Sequence, residues 1–253
     1  MKLFGNNQRR NQTRTIWCQN NRGQKIYGKV HLPQGDGPFP LVIFSHGYGY
    51  NSSFIEADRL AQAGIAVYEF DFCGGSPWSR SQGKSTEMSV LTEADDLEAV
   101  LDELKGQAFV DPQRIFLSGG SQGGFVSIIV GARRQADIQG MILYCPALVI
   151  QDFEEVYLQG RMPEKMKFGN MTISRKYYTD AHEYDLQKAM VSFEKPVLYY
   201  QGDQDEMVPL RYAYYAQESF PKMELTILKN TRHMCNYGNE ERLFADMKDF
   251  VLL

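Results

Sequence analysis

The sequence predicts an α/β fold with a mostly parallel central sheet, helices on both faces and an antiparallel hairpin at the N-terminus. Two observations carry this prediction. Apolar segments such as Leu41–Phe44 and Met141–Tyr144 are continuous rather than alternating, as in strands that are buried on both faces. Helical segments lie between these strands, and strands that alternate with helices form parallel sheets. The 253 residues, 43% of them hydrophobic, suffice for a single well-buried domain over 1–253.

The strands are recognised by β-branched and aromatic residues between turn signals. The segments Arg14–Gln19 and Lys25–Leu32 flank the turn-forming residues Asn20–Gly23, which predicts the N-terminal antiparallel hairpin. After the Pro- and Gly-rich residues 33–38, the pattern changes to buried strands. Besides the two segments named above, these are Ile65–Phe70, Arg114–Ser118, Val197–Tyr200 and Leu225–Leu228.

The helices are recognised by apolar residues three and four positions apart. The longest predicted helix has Val90, Ala94, Leu97, Leu101 and Leu104 on one face. The other predicted helices are Phe54–Ala63, Phe125–Val130, Tyr212–Phe220 and Leu243–Val251. This regular alternation predicts helix layers that cover the sheet.

One segment, residues 147–191, does not follow the alternation. It contains Met, Tyr, Phe, Asp and Glu without a clear strand. A connection of this length is usually a lid or a binding loop. We therefore expect a small cap inserted over one edge of the sheet.

Composition and charge exclude several classes of partner. The formal net charge is −4, so no positive field attracts nucleic acid or an anionic membrane surface. No segment has the roughly 20 apolar residues of a membrane span, and the first residues lack the apolar core of a signal peptide. We expect a cytoplasmic protein whose partner is a small molecule, and the sequence is compatible with a homo-oligomer.

The four cysteines, at positions 18, 73, 145 and 235, are scattered and have no C-x-x-C spacing. Most of them lie in apolar, strand-like segments. This pattern favours reduced thiols in the core over disulfides or zinc ligands. We expect no metal site and no cofactor.

The strongest motif is G-x-S-x-G at Gly119–Gly123, between a predicted strand and a predicted helix. In this context the motif forms a sharp turn that raises the serine hydroxyl above the sheet and directs a helix N-terminus at a developing oxyanion. A glycine-rich turn with a capping serine is the alternative. The context favours Ser121 as a nucleophile.

A serine nucleophile needs a histidine base and a carboxylate that orients it. In folds with this strand–turn–helix motif, the acid and then the histidine follow the serine along the chain. That order leaves His182, in the irregular insert, and His233, after the last predicted strand. We predict His233 as the base, with a purely structural histidine as the alternative.

Two aspartates compete for the role of the acid. Asp203 and Asp205 both follow the predicted strand Val197–Tyr200. Asp205 lies deeper in the loop, just before a helix, whereas Asp203 is placed to stabilise the turn. We predict Asp205 and keep Asp203 as the alternative.

An acyl-transfer site also needs two N–H donors for the oxyanion. The residue after the nucleophile, Gln122, supplies the first. The second is expected from the loop after Leu41–Phe44, and we predict the Tyr48 N–H. His46 in the same loop is expected to brace it through hydrogen bonds rather than to act in the reaction.

Together these motifs resemble the feruloyl and cinnamoyl esterases of bacteria, which belong to the α/β-hydrolase superfamily. The resemblance covers the chain from about Lys25 to Phe250. It rests on the motifs already named and on residues 71–76 and 202–209. The family often has His-Gly where this chain has Gln201-Gly202, and Gly-Ala-x-His where this chain has residues 230–233.

The resemblance implies an α/β-hydrolase fold and a serine carboxylic-ester hydrolase that acts through an acyl-enzyme on hydroxycinnamoyl or short-acyl esters. It also implies that the cap binds the substrate, with Asp152, Gln159 and Tyr177 in the positions that reach a phenolic hydroxyl. The aromatic residues of the insert support a ring-binding pocket, and simple packing onto the sheet is the alternative. A peptidase or acylaminoacyl hydrolase, and a non-catalytic binding protein on this scaffold, are the competing functions.

Overall fold

The computed structural model describes residues 12–233 and 238–253. Eight strands form one sheet, in the order β1 (Gln12–Gln19), β2 (Lys25–Leu32), β4 (Ala66–Phe70), β3 (Phe39–Ser45), β5 (Val110–Gly120), β6 (Gly140–Tyr144), β9 (Val197–Gly202) and β10 (Met223–Leu228). The pairs β1–β2 and β2–β4 are antiparallel, and all the other neighbours are parallel. The predicted fold class is therefore confirmed, including the N-terminal hairpin.

The strands of the main sheet agree with the predicted segments, with small extensions at their ends. The helices between and after them are α1 (Ala57–Gln62), α2 (Val90–Lys105), α3 (Gln122–Arg133), α6 (Arg211–Ser219) and α7 (Glu240–Leu252).

The two faces of the sheet bury different helices because successive residues of a strand point to opposite sides. On β3, Leu41 and Ile43 belong to the larger core, which includes residues of α2, α3 and α6. Val42, between them, belongs to a second core with residues of α1 and α7. This packing explains why the strands are continuously apolar.

The insert, residues 147–191, corrects one expectation, because it has strands of its own. Strands β7 (Lys165–Phe168) and β8 (Met171–Ser174) form an antiparallel hairpin. The helices α4 (Arg175–Glu183) and α5 (Leu186–Ser192) follow it, and short helical turns at Leu148–Asp152 and Glu154–Leu158 precede it. Strand β7 alternates exposed and half-buried residues over only four positions and carries two lysines, so its pattern is too weak to recognise.

The insert contacts the body of the protein at helix α3, at helix α2 and at the loop before α2. The hydroxyl of Ser89, the residue before α2, donates a hydrogen bond to Asp180 of α4. The Ser85 hydroxyl donates to the Thr172 carbonyl on β8, with 2.7 Å between the oxygens. These contacts hold the insert beside the carboxyl ends of the central strands.

Within residues 12–233 and 238–253, none of the helices combines the length and the apolar character needed to cross a membrane. The prediction that no signal peptide begins the chain concerns residues 1–11, which lie outside the described residues.

Candidate active site

The predicted serine turn joins β5 to α3. Ser121 has φ 52° and ψ −120°, a backbone conformation that a non-glycine residue rarely adopts. The flanking glycines are needed because the chain is crowded here. A Cβ on Gly119 would lie 2.4 Å from the Gly123 carbonyl oxygen, and one on Gly123 would lie 2.1 Å from the Ser45 carbonyl oxygen. The turn therefore presses against the end of β3 and presents Ser121 at the edge of the sheet.

Ser121, His233 and Asp205 form a continuous chain of hydrogen bonds. The Ser121 Oγ lies 3.0 Å from the His233 Nε2, and the His233 Nδ1 lies 2.8 Å from the Asp205 Oδ2. These distances suit proton transfer from a hydroxyl to an imidazole that a carboxylate orients. The three residues follow β5, β9 and β10, parallel strands that end at the same edge of the sheet.

The Asp205 carboxylate is fixed on both oxygens. Its Oδ1 accepts hydrogen bonds from the N–H groups of Met207 and Val208, at 2.9 and 2.8 Å. Its Oδ2 accepts one from the Gln201 Nε2 at 2.9 Å, in addition to facing His233. Gln201, which departs from the pattern of the esterase family, thus helps to fix the Asp205 carboxylate.

The competing residues have other contacts. The Asp203 Oδ1 accepts a hydrogen bond from the Thr231 N–H at 3.2 Å, which is the turn-stabilising role considered for it. His182 is exposed, and its Nδ1 lies 3.0 Å from the Gln151 carbonyl oxygen in the insert. Neither residue belongs to the hydrogen-bonded chain at Ser121.

The loop after β3 passes directly over the serine. A Cβ on Gly47 would lie 3.2 Å from the Ser121 Cβ. Among the described residues, no acceptor is found for the N–H of Tyr48 in this loop or for the N–H of Gln122 at the start of α3. Two unpaired amides beside a serine hydroxyl can bind an oxyanion.

His46 braces this loop, as the sequence predicts. Its Nε2 accepts a hydrogen bond from the Phe72 N–H at 3.0 Å, and its Nδ1 donates to the Gly47 carbonyl at 2.8 Å. Burial lowers the pKa of His46, which keeps the ring neutral and its two nitrogens in these roles. His46 therefore fixes the loop without contacting Ser121.

A cavity of about 650 Å³ opens above Ser121 and His233. Its size is in the range of small-molecule sites. One wall is a cluster of aromatic rings from the loop after β3 and the insert, formed by Tyr48, Phe153, Phe168 and Tyr177. Neighbouring rings have centroids 5.0 to 5.9 Å apart and meet edge to face, a favourable arrangement.

The polar groups of this wall bond to the protein. The Tyr48 hydroxyl donates to the Phe168 carbonyl at 2.8 Å. The Tyr177 hydroxyl donates to the Gln122 Oε1 at 2.7 Å, and Tyr177 is 2% exposed. The ring of Tyr177 thus lines the cavity, but its hydroxyl proton is donated to Gln122.

The structure does not bring the other predicted phenol-binding residues to the cavity. Asp152 is exposed, and its Oδ2 accepts a hydrogen bond from the Tyr212 hydroxyl at 3.0 Å. Gln159 lies in a separate shallow depression with Leu158, Arg161 and Met162. Neither Asp152 nor Gln159 is among the described residues that line the cavity above Ser121, and their role in binding a substrate stays a prediction.

The cysteines also differ from the expectation of four reduced thiols. Cys18 and Cys73 are free and buried, whereas Cys145 is disulfide-bonded, and Cys235 lies outside the described residues. The Cys145 sulfur lies close to Asp205 and His233. A disulfide sulfur is not a thiolate, so this group is a poor metal site.

Sequence reasoning missed one buried residue at the site, Glu93 of α2. It is 1% exposed, and its Oε2 accepts a hydrogen bond from the Gln122 Nε2 at 2.6 Å. A signal was present, because Glu93 lies three residues after Val90 and four before Leu97, on the apolar face of the helix. A charged residue on a buried face is unusual and needs a partner.

The fold and this arrangement of side chains define an α/β hydrolase. The sequence model of the family described as Hydrolase_4, "Serine aminopeptidase, S33", matches residues 36–179. This match covers more than half of the chain, and the protein therefore belongs to that family.

Curated relatives are distant. The α/β hydrolase domain-containing protein WAV2 of Arabidopsis thaliana is 24% identical over 205 residues, covering 77% of this chain. The chain spans 62% of the length of WAV2. The monoglyceride lipase of Rattus norvegicus is 24% identical over 240 residues, covering 81% of this chain and 78% of the lipase.

Among solved structures, that of ferulic acid bound to Est1E from Butyrivibrio proteoclasticus superposes with a TM-score of 0.84. The two chains are 22% identical, and the match covers 94% of this chain and 98% of Est1E. At this identity the similarity establishes the shared fold.

Proposed function

We propose that the protein is a serine carboxylic-ester hydrolase that acts through an acyl-enzyme. The observation that carries this proposal is the hydrogen-bonded chain from Ser121 through His233 to Asp205 at the floor of an apolar cavity. Two unpaired amides, those of Tyr48 and Gln122, lie beside the serine and complete the groups that ester hydrolysis requires.

In the proposed reaction, His233 accepts the Ser121 proton as the serine oxygen attacks the ester carbonyl carbon. The amides of Tyr48 and Gln122 stabilise the resulting oxyanion. The intermediate collapses, His233 returns the proton to the departing alcohol, and the acyl group remains on Ser121. A water molecule, deprotonated by His233, then releases the carboxylic acid.

We further propose that residues 147–191 act as a cap and that the aromatic wall binds an aromatic or other bulky apolar acyl group. The faces of Phe153 and Phe168 offer flat apolar surface. The hydroxyls of Tyr48 and Tyr177 are engaged within the protein, so a phenolic hydroxyl on the substrate is not required. Esters of cinnamic acid and its hydroxylated relatives are the class that fits best.

The test combines covalent trapping with a substrate panel. A fluorophosphonate should label wild-type protein on Ser121, located by peptide mass spectrometry, and should not label Ser121→Ala. Methyl cinnamate and methyl ferulate should be hydrolysed with kcat/KM values within about tenfold of each other. Labelling elsewhere would reject the nucleophile, and preference for acetate and butyrate esters would reject the aromatic acyl group.

An aminopeptidase is the second candidate, because the description of the family names that activity. Glu56 and Glu206 line the cavity and are acidic groups that suit a substrate ammonium. The Glu56 Oε2 is paired with Arg59 at 3.2 Å, which offsets its charge and favours the esterase. Release of nitroaniline from aminoacyl nitroanilides faster than hydrolysis of any ester in the panel would favour the peptidase.

A further inference from the structure

Glu93 is buried directly behind the serine turn. Its Oε2 accepts a hydrogen bond from the Gln122 side chain, whereas its Oε1 has no hydrogen-bond partner among the described residues. A Cβ on Gly75 would lie 3.1 Å from that Oε1, so the carboxyl group is tightly enclosed. The proposed reaction does not use Glu93, and a buried carboxyl group without a cation beside it is costly.

The side chain of Gln122 is held at both ends. Its Nε2 donates to Glu93, and its Oε1 accepts the hydrogen bond from the Tyr177 hydroxyl. Gln122 is itself 1% exposed. Because the side chain and the N–H of one residue share the same Cα, clamping the side chain restricts the direction of the N–H. That N–H is one of the two proposed oxyanion donors. Such a donor stabilises the oxyanion most when its direction is fixed before the reaction.

The same contacts connect the insert to the serine turn. Tyr177 belongs to α4 of the insert, and Asp180 one turn later bonds to Ser89 at the start of α2. Glu93 is in the first turn of α2. Helix α4 is therefore joined to α2 directly at Ser89 and through the Gln122 side chain at Glu93.

The protonation state of Glu93 matters because of where it lies. Burial raises the pKa of the Glu93 carboxyl to about 8, although the hydrogen bond from Gln122 lowers it. Asp96, on the same helix, raises it further and is itself paired with Arg22. The other titratable groups close to Glu93 are uncharged at neutral pH: His46, Tyr48, Cys73 and Tyr177.

We propose that Glu93 is a positioning residue for this reaction, whose neutral carboxyl group clamps Gln122 against Tyr177 and so holds the Gln122 N–H in place for the oxyanion. This inference rests on the proposed function. It also has an electrostatic consequence. When Glu93 ionises, a negative charge appears one side chain away from the oxyanion donor and opposes the charge that forms in the transition state.

The pH profile of Glu93→Gln is the first test. In wild type, kcat for methyl cinnamate should fall at least about threefold on the alkaline side, with a midpoint near pH 8. Glu93→Gln keeps the acceptor for Gln122 and cannot ionise. It should retain kcat within about twofold at pH 6.5 and lose the alkaline decrease. Glu103→Gln, an exposed position on the same helix, is the matched control and should behave as wild type.

The second test removes the clamp and leaves the backbone N–H intact. Gln122→Met and Tyr177→Phe should each lower kcat about tenfold with KM within about twofold, because only the transition state bears the oxyanion. The double variant should be no slower than the slower single variant, since both act through one side chain. Circular dichroism and thermal melting should confirm that each variant is folded.

The outcomes separate this inference from the proposed function. Wild-type protein that neither labels with a fluorophosphonate nor hydrolyses esters overturns the proposed function. Labelled, active protein in which Glu93→Gln keeps the alkaline decrease overturns only the role of Glu93. Fully additive losses in the double variant also overturn it, because independent contacts would then explain the effects.

Discussion

Polar groups have different partners in two regions of the molecule. One region consists of the loops that carry Ser121, His233 and Asp205, and the other is the insert above them. In the loops, Asp205 bonds to His233, and His233 bonds to Ser121. In the insert, Asp152 and Tyr177 bond to other protein groups. The loops are thus equipped for chemistry, whereas the insert contributes apolar shape and a fixed position. Substitutions in each region should therefore differ in their effects.

The loss of Ser121 should have the largest effect. Ser121→Ala should lower kcat on any activated ester by about 10⁶-fold, because no other group is placed to form the acyl-enzyme. The measurement is steady-state hydrolysis of a nitrophenyl ester beside a buffer blank. The melting temperature should stay close to that of wild type. Activity above about one hundredth of wild type would show that the nucleophile lies elsewhere.

The second largest effect is expected at Asp205, in the loop after β9. Asp205→Asn should lower kcat about 10⁴-fold, because an amide at this position no longer selects the productive imidazole tautomer. Asp203→Asn is the matched control, since the Asp203 carboxylate accepts a hydrogen bond from the Thr231 N–H in the turn. Its kcat should stay within about tenfold of wild type. The reverse ranking of the two variants would assign the acid to Asp203.

Glu93, at the contact between the two regions, should affect stability in a pH-dependent way. Burial holds the folded-state pKa of Glu93 at about 8, above the ordinary value of 4.5. Between these pH values only the unfolded chain loses the proton, so wild-type stability falls as pH rises through this window. Glu93→Gln removes this cost. Relative to wild type, it should gain about 3 kcal/mol of unfolding free energy between pH 5 and pH 8.

Urea unfolding at both pH values measures this gain. Glu103→Gln again serves as the control and should show a pH dependence equal to that of wild type. A gain that is equal at pH 5 and pH 8 would mean that Glu93 is ionised throughout this range.

The aromatic wall should have a smaller, substrate-dependent effect. Phe168→Ala should lower kcat/KM for methyl cinnamate about tenfold, mainly through KM, because the wall loses an aromatic ring that the cinnamoyl ring would contact. An acetate ester should change by less than about threefold. Lys167→Ala, the exposed neighbour on the same strand, is the control. Equal losses for both esters would show that Phe168 supports the site in general rather than an aromatic acyl group.

The smallest effect is expected at Asp152. Its carboxylate bonds to the Tyr212 hydroxyl outside the cavity, so Asp152→Ala should leave the ranking of the ferulate, p-coumarate and cinnamate methyl esters unchanged. Each kcat/KM should stay within about twofold of wild type. A selective loss for the hydroxylated esters would restore Asp152 as a substrate-binding residue and weaken the division between loops and insert.

Much of the fold could be predicted because its signals are local. Continuous apolar strands and amphipathic helices alternate along the chain, and this alternation alone indicates a parallel sheet. The serine turn was equally predictable from the sequence, because a Cβ on Gly119 or Gly123 would collide with neighbouring backbone atoms. In such a sheet the carboxyl ends of the strands meet, so chain order predicted an aspartate and a histidine near Ser121, and the positions of the loops favoured Asp205 and His233.

The insert could not be predicted in the same way. Its hairpin has two strands of four residues with weak alternation, and its contacts are made to distant parts of the chain. The disulfide at Cys145 is likewise a property of spatial proximity rather than of sequence spacing.

The sequence by itself therefore determined the fold class and predicted the serine turn at Ser121, because backbone sterics and hydrophobic periodicity act over short stretches of chain. Only the tertiary structure decided which polar groups of the insert face the cavity and which bond to the protein. It also revealed that Glu93, 29 residues before Gln122 in sequence, accepts a hydrogen bond from the Gln122 side chain. Residues that far apart in sequence become hydrogen-bond partners only when the packing of helices and strands brings them together, and no local sequence pattern specifies that packing.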